Sequence, residues 1–273
     1  MSKITRKQVV NEVVQLLRQA EIELPEDVLS ALKSALKTES NQIARTQLRQ
    51  MIENAELAKE HGTPMCQDTG TPVFFVDVGY DAEIDFDLVE AIQEGVAKAT
   101  KEIPLRHNAV HPITREGSEN ELMDVNLSLV KGNKVKITVA PKGSGSENMS
   151  ALRMFNPSEV KNIKRFVLET VKNAGGRSCP PIIVGVGIGG TFDGAAKLAK
   201  KAVLRKLDKP MDTFERELLD EINSLGLGPM GLGGSTTAMA VNVEYGRCHT
   251  ASLPVAVNIQ CWAARRASIT LED

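Results

Sequence analysis

The sequence predicts an α+β fold, and three observations predict it. The first quarter of the chain carries helical apolar spacing, the middle and the end carry short apolar or alternating runs of strand length, and helices and strands do not alternate strictly as in a parallel βαβ array. With 273 residues, 42% of them hydrophobic and 25% charged, the chain can bury a substantial core. No repeat, low-complexity run or clear linker divides residues 1–273, which are expected to form one large domain of one or two lobes.

Val9, Val10, Val13, Val14, Leu16 and Leu17 set a helix over residues 5–20, and residues 25–38 and 41–62 read the same way. Residues 72–79, with Val73, Phe74, Phe75, Val76 and Val78, form a strand, followed by a helix over 87–101 that ends before Pro104. Residues 121–129 and 134–139 alternate apolar with polar side chains around Gly132-Asn133, and predict a β-hairpin. A loop over 142–148 leads to a helix over 158–174. Beyond it come a buried strand at 181–186, helices at 193–207 and 213–225, and strands at 241–244 and 254–259.

Net charge is −2 with a pI of about 6.2, and the basic residues are spread among acids, so no nucleic-acid footprint exists. Aromatic residues make up only 4%, too few for a base-stacking platform. The apolar stretches are too short to span a bilayer and the N-terminus lacks a secretory core, so the expected compartment is the cytoplasm, where thiols stay reduced.

Three of the four cysteines, Cys66, Cys179 and Cys261, sit far apart in the chain; Cys66 precedes the turn formers Gln67-Asp68-Thr69-Gly70, Cys179 precedes Pro180-Pro181, and Cys261 lies in Asn258-Ile259-Gln260-Cys261-Trp262. No C-x-x-C pair occurs. Structural zinc usually draws local pairs, whereas an iron-sulfur cluster accepts thiolates from distant loops, and three ligands leave one iron open as a Lewis acid. That combination is hydro-lyase chemistry. The alternatives are small buried thiols, or a colourless zinc site. Cys248 reads as a spare thiol.

Gly185-Val186-Gly187-Ile188-Gly189-Gly190 matches G-x-G-x-x-G, the mark of a nucleotide-binding subunit. The acidic residue at the expected distance, Asp208, falls between helices rather than at a strand end, which favours close strand-to-helix packing instead. Lys142-Gly143-Ser144-Gly145-Ser146 is either a solvated turn or a backbone nest for a carboxylate, and the 226–234 stretch reads as a packed site wall. His61, His107 and His111 read as capping or solvated residues. His249 lies next to the predicted strand 254–259 that leads to Cys261 and is a candidate acid or base, as is Asp68 beside Cys66. Arg106 could take a carboxylate through its fork.

Together with Leu105-Arg106-His107-Asn108, Gly231-Leu232-Gly233-Gly234-Ser235-Thr236-Thr237 and His249-Thr250-Ala251-Ser252-Leu253-Pro254, these motifs resemble the alpha subunit of two-subunit class I iron-sulfur fumarate hydratases, and of the similar L(+)-tartrate dehydratases, over nearly the whole chain. The resemblance implies a [4Fe-4S] cluster on Cys66, Cys179 and Cys261, with a small dicarboxylate held by Gln67, Arg106 and a loop glycine, Gly143 or Gly145. It implies proton transfer through Asp68 and His249. It also implies a beta subunit that completes the site with basic residues and a threonine, in a hetero-oligomer of two alpha and two beta chains. The expected reaction is hydration of fumarate to (S)-malate, with L(+)-tartrate dehydration as the alternative.

Overall fold

The computed structural model describes residues 3–118 and 122–272 and shows the α+β class. The chain divides into two compact units, Met1–Pro25 with Ala55–Gly143 and Arg265–Asp273, and Glu26–Asn54 with Ser144–Ala264.

The first unit is a four-stranded sheet in the order β2-β1-β3-β8, built from β1 (Thr71–Gly79), β2 (Asp124–Val130), β3 (Val135–Lys142) and β8 (Ala267–Leu271). Two helices supply its core, α1 (Arg6–Ile22) and α4 (Leu88–Glu102), each started by a side-chain cap: Thr5 accepts from the Gln8 amide and Asp87 from the Glu90 amide. Val9, Val13 and Leu17 of α1 bury against Ile92, Val96 and Ala99 of α4 and against Phe74, Val76, Ile137 and Val139 of the sheet. The helices approach closely at Gly95, where an added Cβ would meet the Val13 side chain at 2.6 Å.

Here the hairpin expectation is corrected. Both strands form, but β1 lies between them, parallel to β2 and antiparallel to β3. Turn chemistry and alternation are local signals that do not say which neighbour fills a ladder. The apolar run of β1 buries Val73, Phe74 and Val76 and takes the interior of the sheet, while β2 keeps an exposed edge at Leu127 and Leu129. Residue 121, the expected start of the first hairpin strand, lies outside the described residues.

The second unit holds α2 (Glu26–Thr38), most of α3 (Gln42–His61), and a sheet in the order β4-β7-β5-β6, from β4 (Ala151–Phe155), β5 (Ile182–Ile188), β6 (Ala238–Tyr245) and β7 (Leu253–Gln260). Strand β5 is parallel to β6 and antiparallel to β7, which is also antiparallel to β4. Ile182, Val184 and Val186 of β5 join the core with α6 (Ile163–Ala174) and α8 (Thr213–Asn223). The alternate residues Gly185 and Gly187 admit α7 (Phe192–Ala202) so closely that a Cβ would lie 2.3 Å from the Ala199 carbonyl oxygen and 2.1 Å from that of Ala195. The glycine motif therefore serves strand-to-helix packing. Strands β4 and β8 and the single turn α5 (Ser144–Glu147) were not expected, α6 starts later, after a 3-10 turn at Pro157–Asn162, and α7 ends earlier, at Ala202. Among the described residues no helix is long and apolar enough to cross a membrane.

Candidate active site

In the first unit, the predicted residues Cys66, Gln67, Asp68 and Arg106 converge on one turn. The turn follows α3 and precedes β1; Cys66 and Asp68 are half-buried in it and Gln67 is exposed. Asp68 Oδ1 accepts from the Gly70 amide at 2.9 Å, which closes the turn locally. Gly70 sits at φ +72°, and a Cβ there would lie 2.7 Å from the Lys142 carbonyl, so a side chain is excluded on two grounds. The close approach brings Gly143 beside the Asp68 carboxylate, with its Cβ position 3.4 Å from Oδ2. The Arg106 amide donates to Thr69 Oγ1 at 3.0 Å and Asn108 Nδ2 to the Gly70 carbonyl at 3.2 Å. These bonds staple the Arg106 loop to the Asp68 turn and leave the Arg106 side chain exposed. Thr69, Gly70, Arg106, Asn108 and Leu122 line a small cleft, with Glu21 at its wall.

In the second unit, Cys179 and Cys261 come to one corner. Cys179 lies three residues before β5 and Cys261 immediately follows the antiparallel β7, whose Gln260 pairs with Ile183, so the two strands bring both cysteines to the same end of the sheet. The Trp262 amide donates to the Cys179 carbonyl at 3.1 Å and ties the two segments together. Cys179 itself holds a left-handed backbone, φ 52° and ψ 63°, which costs a non-glycine residue about 1 kcal/mol or more. Such strain gathers where a side chain must point a particular way. Pro180 and Pro181, joined by a cis peptide, follow it, and the Pro180 carbonyl accepts from the Met230 amide at 2.8 Å. The 226–234 stretch is thus packed against the Cys179 segment, and Glu39 anchors its far end by accepting from the Ser235 amide and hydroxyl at 2.7 and 2.8 Å. Gly145 is exposed in α5, its Cβ position 3.1 Å from the Arg177 carbonyl oxygen two residues before Cys179.

His249 is placed elsewhere. It lies exposed in the turn between β6 and β7, where its Nδ1 accepts from the Ala251 amide at 3.1 Å, so the neutral ring carries its proton on Nε2. Strand β7 separates it from Cys261: His249 precedes the strand and Cys261 follows it, on the order of 20 Å apart at the usual rise per residue. The expected link through a strand exists, but an extended strand holds its ends apart. Cys248 is exposed in the same turn. His111 Nδ1 accepts from the Thr114 amide at 3.1 Å, a local capping role.

Three polar residues of these sites escaped the sequence reading. Asn258 of β7 donates to Glu147 at 3.0 Å and to Ser150 at 2.9 Å, holding α5 to the strand, and Glu147 also pairs with Lys200 at 3.0 Å. Its signal was an amide inside the apolar run Val255–Ile259. Glu21 and Arg265 form a buried ion pair of 2.5 Å in the first unit. Glu21 stood on the apolar stripe of α1, one turn after Leu17, whereas nothing in the local pattern marks Arg265. Burial pushes the Glu21 carboxyl up to about 7 against the pull of Arg265, and the Asp68 charge adds to the rise.

None of the four cysteines is in a disulfide. Among the described residues no group of three His, Cys, Asp or Glu side chains is arranged to hold a metal ion. The donor chemistry still discriminates: Cys66, Cys179 and Cys261 are half-buried soft ligands on loops, the setting iron-sulfur centres use, and the corner of the second unit supplies two of them together.

A fold and a site of this kind define a hydro-lyase. The family model for fumarate hydratase (fumerase) matches residues 10–270, and the chain belongs to that family. A protein of Methanocaldococcus jannaschii named "Putative L(+)-tartrate dehydratase subunit alpha" is 52% identical over 270 residues, covering 93% of this chain and 94% of the relative. The L(+)-tartrate dehydratase subunit alpha of Escherichia coli strain K12 is 30% identical over 284 residues, covering 98% and 94%, and that of strain UTI89 is 31% identical with the same coverage.

Proposed function

We propose that this chain is the catalytic alpha subunit of a two-subunit, cytoplasmic hydro-lyase that adds water reversibly to fumarate to give (S)-malate, with Cys66, Cys179 and Cys261 holding a [4Fe-4S] cluster. The observation that carries the reading is the pairing of β5 with β7, which brings Cys179 and Cys261 to one end of the sheet, joined through Trp262. When bound, the cluster supplies an open Lewis-acidic iron that makes hydroxide a feasible leaving group.

The chain's own residues bind, orient and move protons. Arg106, exposed on a stapled loop, offers two parallel N–H donors to a substrate carboxylate, and Gln67 and the Gly145 backbone offer neutral donors. Asp68, held by the Gly70 amide through one oxygen, keeps its other oxygen toward Gly143 for proton exchange. Because β7 holds His249 away from Cys261, His249 acts on the site of a neighbouring copy of the chain, through the Nε2 that its turn leaves to the ring's outer edge. A beta subunit completes the substrate pocket in a hetero-oligomer of two alpha and two beta chains.

The names of the relatives favour a second reading, dehydration of L(+)-tartrate. The hydroxy acids of the two reactions, (S)-malate and L(+)-tartrate, differ by one hydroxyl, a change worth about 1–3 kcal/mol in an apolar pocket and more where a buried donor is left unpaired. Anaerobic assay of the chain co-expressed with its beta subunit decides: a kcat/KM for fumarate above that for L-tartrate supports the first reading, the reverse order supports the second, and no turnover of either removes both.

A further inference from the structure

The buried pair Glu21 and Arg265 lies in the first unit, with 1% and 2% of their surfaces exposed. Taking both charges out of water costs more than a simple stabilising role returns, since well-packed apolar residues in place of a buried ion pair are often neutral or better. The rest of the pair's bonding shows what it holds. Arg265 Nη1 donates to Glu21 Oε2 at 2.5 Å, and Nη2 donates to the backbone carbonyl of Asp68 at 3.0 Å. The Glu21 main-chain carbonyl accepts from the Met65 amide at 3.0 Å. Met65 and Asp68 are the residues on either side of Cys66 and Gln67, so the Glu21 main chain holds one end of that segment and the ion-paired Arg265 side chain holds the other. The position of a Gly143 Cβ lies 3.9 Å from Arg265 Nη2, which places the glycine loop against the same guanidinium.

We propose that Glu21 and Arg265 are positioning residues that set the direction of the Cys66 thiol and the Asp68 carboxylate. The planar fork of Arg265 reaches an acid and a main-chain carbonyl at once, which a lysine ammonium on a single stem cannot reproduce in the same geometry. The pair fixes the turn before any ligand arrives. This assignment rests on the reading of Cys66 and Asp68 as site residues, and its consequence for the turn can be measured without that reading.

The test uses the full chain, alone and co-expressed with its beta subunit. The double variant Glu21→Met/Arg265→Met replaces the pair by apolar side chains, and Arg265→Lys keeps the charge without the fork. Hydrogen exchange of the 65–70 amides in the chain alone should rise on the order of tenfold or more in both variants, as expected for losing hydrogen bonds to a charged group, while the 135–142 amides of β3 keep their protection. In the co-expressed protein, iron content per chain and kcat per iron-loaded site should fall about ten- to a hundred-fold in either variant, with a smaller change in KM. Unchanged exchange at 65–70 in Arg265→Lys overturns the proposal, and so does a loosened turn with wild-type iron content and kcat per loaded site. Should the double variant not fold, Arg265→Lys alone carries the comparison. A loosened turn in a protein whose wild type turns over neither fumarate nor L-tartrate sinks the enzymatic reading while leaving the clamp in place.

Discussion

At the scale of single residues, the proposed chemistry rests first on three thiols. Changing Cys66, Cys179 or Cys261 to Ser should each abolish the visible absorbance of the anaerobically reconstituted protein and its activity, because the proposed cluster has no ligand to spare. Cys248→Ser should keep both, since Cys248 is exposed in the turn before β7 and away from the Cys179 corner. A colourless Cys248→Ser protein would show that the ligand set is misassigned. Glu21 gives a prediction in pH. Its carboxyl is raised in the folded chain from an ordinary 4.5 to about 7, so the native state binds the proton more tightly than the unfolded one. Its contribution to stability is therefore fully present below about 4.5 and is lost as pH rises through 7. Urea unfolding at acidic and alkaline pH should show wild type losing up to about 3 kcal/mol more than Glu21→Gln between the two limits. Equal losses would mean that Arg265 keeps the acid ionised throughout. At this scale the sequence was informative where Cys66 stood among turn formers, whereas Asn258, an amide within an apolar strand, broke its local pattern and was still missed. It was silent on Arg265, whose partners lie at Glu21 and Asp68 and are made neighbours only by folding.

At the scale of elements, period and length were legible and neighbours were not. The helices α1 to α4 and strands β1, β5, β6 and β7 follow from apolar spacing and caps, because those signals are written within one element. The false hairpin shows the limit: β2 and β3 were found, yet the strand that separates them, β1, lies far earlier in sequence. The short strands β4 and β8 have exposed, partly polar patterns that only their ladder partners explain. The glycines of β5 provide a direct test of packing. Gly187→Ala drives a methyl group into the backbone of α7 and should cost about 1–3 kcal/mol or more, read by denaturant unfolding. Gly117→Ala meets open space and should change stability by no more than about 0.5 kcal/mol. Similar losses in both would refute the reading of Gly185-Val186-Gly187 as a helix seat. Strand β7 carries a second test, because it separates His249 from Cys261. His249→Asn and Cys261→Ser chains are each expected to be inactive, yet co-expressed together with the beta subunit they should recover activity. An inactive mixture would confine His249 to its own chain or remove it from the mechanism.

At the scale of the whole molecule, the family match over residues 10–270 assigns hydro-lyase chemistry, and the motifs that carry it were legible before any fold was known. Cys66, Gln67, Asp68 and Arg106 could be grouped because they lie within one stretch of the first unit. The second unit's Cys179 and Cys261 were grouped with Cys66 by residue type and motif, while the antiparallel ladder of β5 and β7 that joins the two was not legible. The substrate was not legible, because (S)-malate and L(+)-tartrate differ by a single hydroxyl. The measurement that bears most directly on the central claim is iron and sulfide content together with fumarate hydration, anaerobically, for the chain alone and co-expressed with its beta subunit. The account predicts about four irons per alpha chain in the active assembly, and a folded chain that hydrates fumarate at no more than a trace of that rate when alone. Full turnover by an iron-free protein, or by this chain without a partner, would contradict it.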